Sequence, residues 1–257
     1  MSIISKENTN VNTKNRIKIL DVLRGLCILL MVYHHAAFLI KMEGLFKKSV
    51  SVRFVTGFID SGIYQFIWFV YVCMFFILAG ISSNFSRNNF KRALKVGLAA
   101  LVVSAATFVI YPQVFINFGV LHCMCICILI HALLHKTTDK IHIFVYPVLF
   151  LLWYFVLGKG YFIDAPNIPV IGWISAVIGF PVYGYSALDY FPLLPWIFIF
   201  LFGTKLGIII KARKFPDWFY EFDVKPLSFT GKFPLIIYLA HQPILLGVFY
   251  LIERIVK

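Results

Sequence analysis

Apolar residues along this 257-residue chain come in long blocks, with none of the strict alternation that marks a half-buried strand. The blocks fall at roughly 19–40, 63–83, 93–111, 118–134, 141–158, 190–210 and 233–252. Each is close to the length a helix needs to cross ~30 Å of hydrocarbon. An eighth run, IPVIGWISAVIGFPV at 168–182, is shorter and broken by glycine and proline, and reads as re-entrant or interfacial. Residues 1–16 are polar and read as a disordered arm, leaving 17–257 as a single membrane domain. The pattern predicts an all-α fold: a polytopic transmembrane helix bundle of about seven spans plus that one segment.

Composition removes the soluble alternatives. Hydrophobic residues make up 61% of the chain, charged residues 14%, and the mean hydropathy is +0.87. A soluble domain averages about 45–50% apolar and about 25% charged. A secreted enzyme is excluded as well, because the first apolar run is longer than a signal core and leads into another. The net charge of +13 would suggest nucleic acid in a soluble chain, but here it reads as cytoplasmic loops and anionic lipid contact. With seven spans and a cytoplasmic N-terminus, 17 of the 24 basic residues lie inside. Were 168–182 to span, the six between Lys205 and Lys232 would move outside, against the positive-inside tendency. The outward loop 41–61 then carries Lys41, Lys47, Lys48 and Arg53, which either meet an acidic acceptor or headgroup or anchor helix ends by snorkelling. The five cysteines lie inside apolar runs without zinc spacing, so free thiols and no metal are expected.

Ionisable groups inside spans are costly, so they are functional candidates by default. Arg24 and His35 are eleven residues apart on the first helix. Eleven residues amount to three turns plus about 20°, which places both on one face about 16 Å apart along the axis. Asp21 sits close to the same stripe, whereas His34 points about 100° away. Arg24 either reaches toward a buried anion or snorkels to headgroups with Asp21 as its pair. His122 begins the fourth run and Asp189 precedes the sixth, so both are expected near the depth of His35. Imidazole beside carboxylate is the usual proton-transfer and orienting pair. His241 and Gln242 precede Pro243, which frees backbone groups in mid-helix that these two side chains can satisfy. His131 and His135 share a face without a nearby third ligand and read as core or interfacial, and Gly80 reads as a helix-packing glycine.

Five segments in order, RGLCILLMVYHH, FFILAGISS, FGVLHCMCI, SALDYFPLLPW and LSFTGKFPLIIYLAHQP, resemble the blocks of the heparan-α-glucosaminide N-acetyltransferase catalytic-domain family, a branch of the wider membrane acyltransferase superfamily. Each block alone is weak; their order across residues 21–245 is specific. The resemblance implies transfer of an acetyl or similar acyl group from cytoplasmic acyl-CoA, with acetyl-CoA as co-substrate, to an extracytoplasmic glycan amine or hydroxyl. It implies His35 as base or transient acyl carrier and Arg24 as the residue that holds coenzyme phosphate. His122 and Asp189 are expected to orient or bind the acceptor, and His241 with Gln242 to line its site. Where family members often carry an acidic residue before the motif histidine, this chain has His34, and the chain is shorter than the lysosomal members, so a heparan acceptor is not carried over. A transporter or flippase is the rival class; it would favour a repeat symmetry that this sequence lacks.

Overall fold

The computed structural model describes residues 16–43, 57–112, 115–157, 169–183, 185 and 187–256. All of their regular elements are helices, with no strand among the described residues. In chain order the elements are α1 (Lys18–Glu43), α2 (Gly62–Ser83), α3 (Asn89–Ile110), α4 (Val120–Thr138), α5 (Val145–Leu152, continued by a π-helical turn Trp153–Leu157), α6 (Pro169–Ile178), α7 (Leu193–Lys211), α8 (Asp217–Glu221), α9 (Lys225–Thr230) and α10 (Pro234–Val256). Six of them, α1, α2, α3, α4, α7 and α10, are long and apolar enough to cross a membrane.

The seventh predicted span is shorter than its apolar run. α5 with its π turn covers thirteen residues, about 20 Å at 1.5 Å per residue, and residues 158–168 lie outside the described ones. α6 has ten described residues, about 15 Å, half the hydrocarbon thickness. The predicted arm over 1–16 lies outside the described residues except Arg16, as do Lys47, Lys48 and Arg53 of the basic loop; Lys41 at its start pairs with Asp60 at 2.5 Å.

α7 is the centre of the bundle. It packs against α2, α4, α5 and α6, and 56% of its apolar window is buried, against 6% for α10 at the rim. Around it Phe76, Phe150, Phe200 and Trp196 form the core, with the Phe76 and Trp196 rings stacked 5.0 Å apart. The α2–α7 contact is close because both helices present glycine there. A Cβ at Gly80 would strike the Phe200 carbonyl, and one at Gly203 would strike the Ile77 carbonyl. Lipid tails compete as well as any apolar side chain, so close backbone approach is what makes helices associate in a bilayer. The sequence reading of Gly80 as a packing residue holds.

α1 leans on α2 with α9 and α10 against its other sides. Cross-ties fix its direction: His34 meets Tyr64 near the start of α2, while Arg24 reaches Ser82 at its end. The two helices are therefore antiparallel, and His35 and Arg24 lie toward opposite ends of the bundle.

Replacing Gly203 with valine should force α2 and α7 apart and cost about 1–3 kcal/mol, whereas Gly247→Ala, where nothing lies within 4 Å of a new Cβ, should be neutral or slightly stabilising. Thermal unfolding of the detergent-solubilised variants checks the contrast.

Candidate active site

Three pairs of sequence blocks meet through glycine. The first is the α2–α7 contact at Gly80. In the second, a Cβ at Gly25 would collide with the Leu227 carbonyl of α9, and one at Gly231 with the Asp21 carbonyl of α1, so RGL and LSFTG dock backbone to backbone. In the third, a Cβ at Gly119 would strike Asp189, which seats the loop before α7 on the start of α4.

That third junction places Asp189. Its Oδ2 accepts from the Val120 amide at 3.0 Å, one of the amides a helix start leaves unpaired. Next to it the Phe191 amide donates to the Phe118 carbonyl at 3.3 Å, and the Tyr185 hydroxyl donates to Asn117. Burial holds the Tyr185 hydroxyl up to about 12, so it remains a donor at neutral pH. Burial also pushes the Asp189 carboxyl above the usual carboxylate range, opposed by the Val120 amide and by the charge of His35 within electrostatic reach.

His35 and His241 form the centre of the site, with ring centroids 4.8 Å apart at 69°. His35 Nδ1 lies 2.9 Å from the Met31 carbonyl and His241 Nδ1 lies 2.5 Å from the Tyr238 carbonyl. A carbonyl only accepts, so in both rings Nδ1 carries the hydrogen and the lone pair of the neutral ring is on Nε2. His241 is 5% exposed and its Nε2 has no partner among the described residues. One ring comes from α1 and one from α10, each held by its own helix through Nδ1.

His34 and His122 are differently employed. His34 Nδ1 sits 2.7 Å from the Tyr64 hydroxyl and its ring stacks on Tyr64 at 5.9 Å and 8°. For His122, the Gly119 amide donates to Nδ1 at 3.2 Å, so Nε2 carries the hydrogen and faces Ser104 Oγ at 3.1 Å. Ser104 in turn donates to the Ile116 carbonyl at 2.5 Å. Both ring nitrogens of His122 are thus spent on fixing the start of α4, and its hydrogen bonds do not reach His35. Tyr64 and Ser104 were not singled out in the sequence, where a hydroxyl in an apolar run gives no signal until its partner on another helix is known.

Arg24 lies at the other end of α1. It donates to Asp21 through Nη1 and to Ser82 Oγ through Nη2 at 2.9 Å. Asp21 is 2% exposed and is shared with Arg16, whose Nη2 donates to it at 3.0 Å. Two guanidiniums on one carboxylate leave one positive charge over. Arg92 of α3 lies close enough to Arg24 for mutual repulsion and donates to Ser83 Oγ at 2.8 Å and the Ala79 carbonyl at 3.1 Å. A cavity of about 490 Å³ opens beside Asp21. Its four cations, Arg16, Lys18, Arg213 and Lys232, are balanced by the carboxylates of Asp21, Asp217, Glu221 and Asp223. No group of three or more histidine, cysteine, aspartate or glutamate side chains gathers to hold a metal among the described residues.

The family model for heparan-alpha-glucosaminide N-acetyltransferase, catalytic, matches residues 16–243. The chain belongs to that family. It is accordingly a membrane acetyltransferase and a multi-pass integral membrane protein. The match spans α1 into α10 and takes in every residue of the site described above. No curated protein and no solved structure gives a significant match to this acetyltransferase chain.

Gly119→Ala should drive Asp189 off the start of α4 and lower the unfolding midpoint, by the equivalent of about 1–3 kcal/mol. Asp189→Asn keeps an oxygen able to accept from Val120 and should melt close to the parent protein. Circular dichroism melts that reversed this order would disconnect the glycine from the aspartate.

Proposed function

We propose that this acetyltransferase moves an acetyl group from acetyl-CoA, bound at the Arg24 end, to a glycan amine or hydroxyl at the His35 end, with the N-terminus cytoplasmic and the acceptor outside. The observation that carries this reading is the pair of imidazoles, 4.8 Å apart, with their Nδ1 hydrogens tied to helix carbonyls, which leaves Nε2 as the basic nitrogen of each neutral ring. As the acceptor's N–H or O–H attacks the thioester carbonyl, His35 Nε2 takes its proton and then returns it to the departing coenzyme sulfur, so that His35 ends as it began. His241 Nε2, buried and unpartnered, accepts a hydrogen bond from the acceptor and orients it, with Gln242 beside it on α10. The apolar bundle between the two ends keeps water from the thioester.

Asp189 and His122 act as positioning residues. They fix the start of α4, and the Asp189 charge lies within reach of His35, where it favours the imidazolium that forms as the proton is taken. At the opposite end Arg24, Arg92 and Arg16 outnumber the one buried carboxylate, Asp21, a charge excess suited to the phosphates of the coenzyme. Arg16 keeps Asp21 neutralised when Arg24 turns to a phosphate.

His35→Ala should lower transfer of labelled acetyl from acetyl-CoA by about 10²–10⁴ in a protein that folds normally, while His34→Ala should lose far less. An active His35→Ala with a dead His34→Ala would reverse the assignment. Arg24→Ala should weaken acetyl-CoA binding by about 10- to 150-fold, the cost of a charge-assisted contact, while His35→Ala binds it nearly normally. Calorimetric titration of both variants separates the two roles.

A further inference from the structure

The cavity of about 490 Å³ beside Asp21 lies where α1 and α10 begin and α7 has just ended. These three helices are long and apolar enough to cross a membrane, so their common end lies at headgroup depth. Part of the cavity's polar wall is already paired: Asp21 is shared by Arg16 and Arg24, and Lys18 meets Asp223 at 3.3 Å. Two cations, Arg213 and Lys232, and two carboxylates, Asp217 and Glu221, line the same cavity and have no ion-pair partner among the described residues. All four are exposed, hence open to a ligand.

Water satisfies exposed charges at little cost, so their presence alone selects nothing. Arg213 supplies the second observation. Its φ of 52° lies in the left-handed region, where a chain that closes a helix ordinarily places glycine. Its amide donates to the Ile210 carbonyl at 3.0 Å and the Lys214 amide to the Ile209 carbonyl at 3.3 Å, which closes α7. A position suited to glycine thus carries a guanidinium, held 5.0 Å from the centre of the Tyr220 ring in the cavity wall. Asp217 and Glu221, four residues apart, share one face of α8, and Tyr220 anchors that helix by donating to the Ile210 carbonyl at 3.2 Å. Trp218 stands about 100° round the helix from Asp217 and is exposed. Phe229 and Phe233, flanking Lys232 in the chain, are exposed as well, with their rings 5.7 Å apart. Exposed aromatic rings beside charged groups at the end of a span are the composition of a bilayer interface.

The charges define the occupant. An anion would meet Arg213 and Lys232 but also face Asp217 and Glu221, and a cation would meet the reverse. One molecule that carries both a phosphate and an ammonium satisfies the two pairs together. Its ammonium must keep its N–H groups, because a carboxylate holds it by charge-assisted hydrogen bonds, and a choline headgroup has no N–H to give. We propose that this cavity binds the headgroup of phosphatidylethanolamine, with the phosphate on Arg213 and Lys232, the ammonium between Asp217 and Glu221, and the acyl chains leaving past Phe229 and Phe233. The site depends on neither the donor nor the acceptor of the transfer reaction.

The test is native mass spectrometry of the full-length protein released from nanodiscs that hold equal parts of phosphatidylethanolamine, phosphatidylcholine and phosphatidylglycerol. Phosphatidylethanolamine should be retained at least about fivefold over either of the others, the scale of an exposed ion pair. Asp217→Asn with Glu221→Gln should remove the preference over phosphatidylcholine, and Arg213→Gly should lower retention of both zwitterionic lipids. Equal retention of the three lipids, or an excess of phosphatidylglycerol, overturns the proposal without any variant having to fold. A preference that survives the double substitution overturns the assigned carboxylates. Glycerophosphoethanolamine, the headgroup without chains, should fail to displace the lipid at equal concentration; displacement would overturn the lipid as the source of the headgroup.

Discussion

A polar group in hydrocarbon has no water to return to, so each one must find its partner inside the bundle. Much of this protein follows from that constraint. Ser82, Ser83, Thr107 and Thr138 turn their hydroxyls back onto carbonyls one turn earlier in their own helices. His122 and Ser104 relay hydrogen bonds from α3 to the start of α4, and Asn84 Nδ2 ties α2 to the Thr204 carbonyl of α7 at 2.8 Å. Satisfaction is the rule among the described residues, with five buried side-chain atoms as exceptions, His241 Nε2 one of them.

Close approach of backbones is the second determinant and makes the first possible. Gly25 against Leu227, Gly80 against Phe200 and Gly203 against Ile77 bring chain segments near enough for side chains to cross from one helix to the next. The buried Asp21 depends on this. Its helix backbone touches Gly231, and its carboxylate, 2% exposed, is shared by Arg16 and Arg24. Breaking such a shared pair by removing one partner leaves a buried charge, which costs more than the intact pair contributes.

The two ends of the molecule carry different polar groups. The Arg24 end gathers Arg16, Arg24 and Arg92 around one buried carboxylate, and the His35 end gathers two imidazoles held by α1 and α10 with a carboxylate near the start of α4. α10, which carries His241, is the least buried of the six long helices.

The sequence by itself determined the helical class, the position of the six long helices to within a few residues, and the candidacy of Arg24, His35, Asp189 and His241. Those properties are local: an apolar run of a given length is helical in hydrocarbon, and an ionisable residue within it stands out against its neighbours. Gly80 was readable as a packing residue for the same reason. Tertiary structure alone decided what each histidine bonds to: a ring nitrogen of His34 meets Tyr64, that of His35 a helix carbonyl and that of His122 the Gly119 amide. It also decided that Arg24 shares Asp21 with Arg16. A hydrogen-bond partner is a property of two segments brought together, and spacing along one helix cannot contain it.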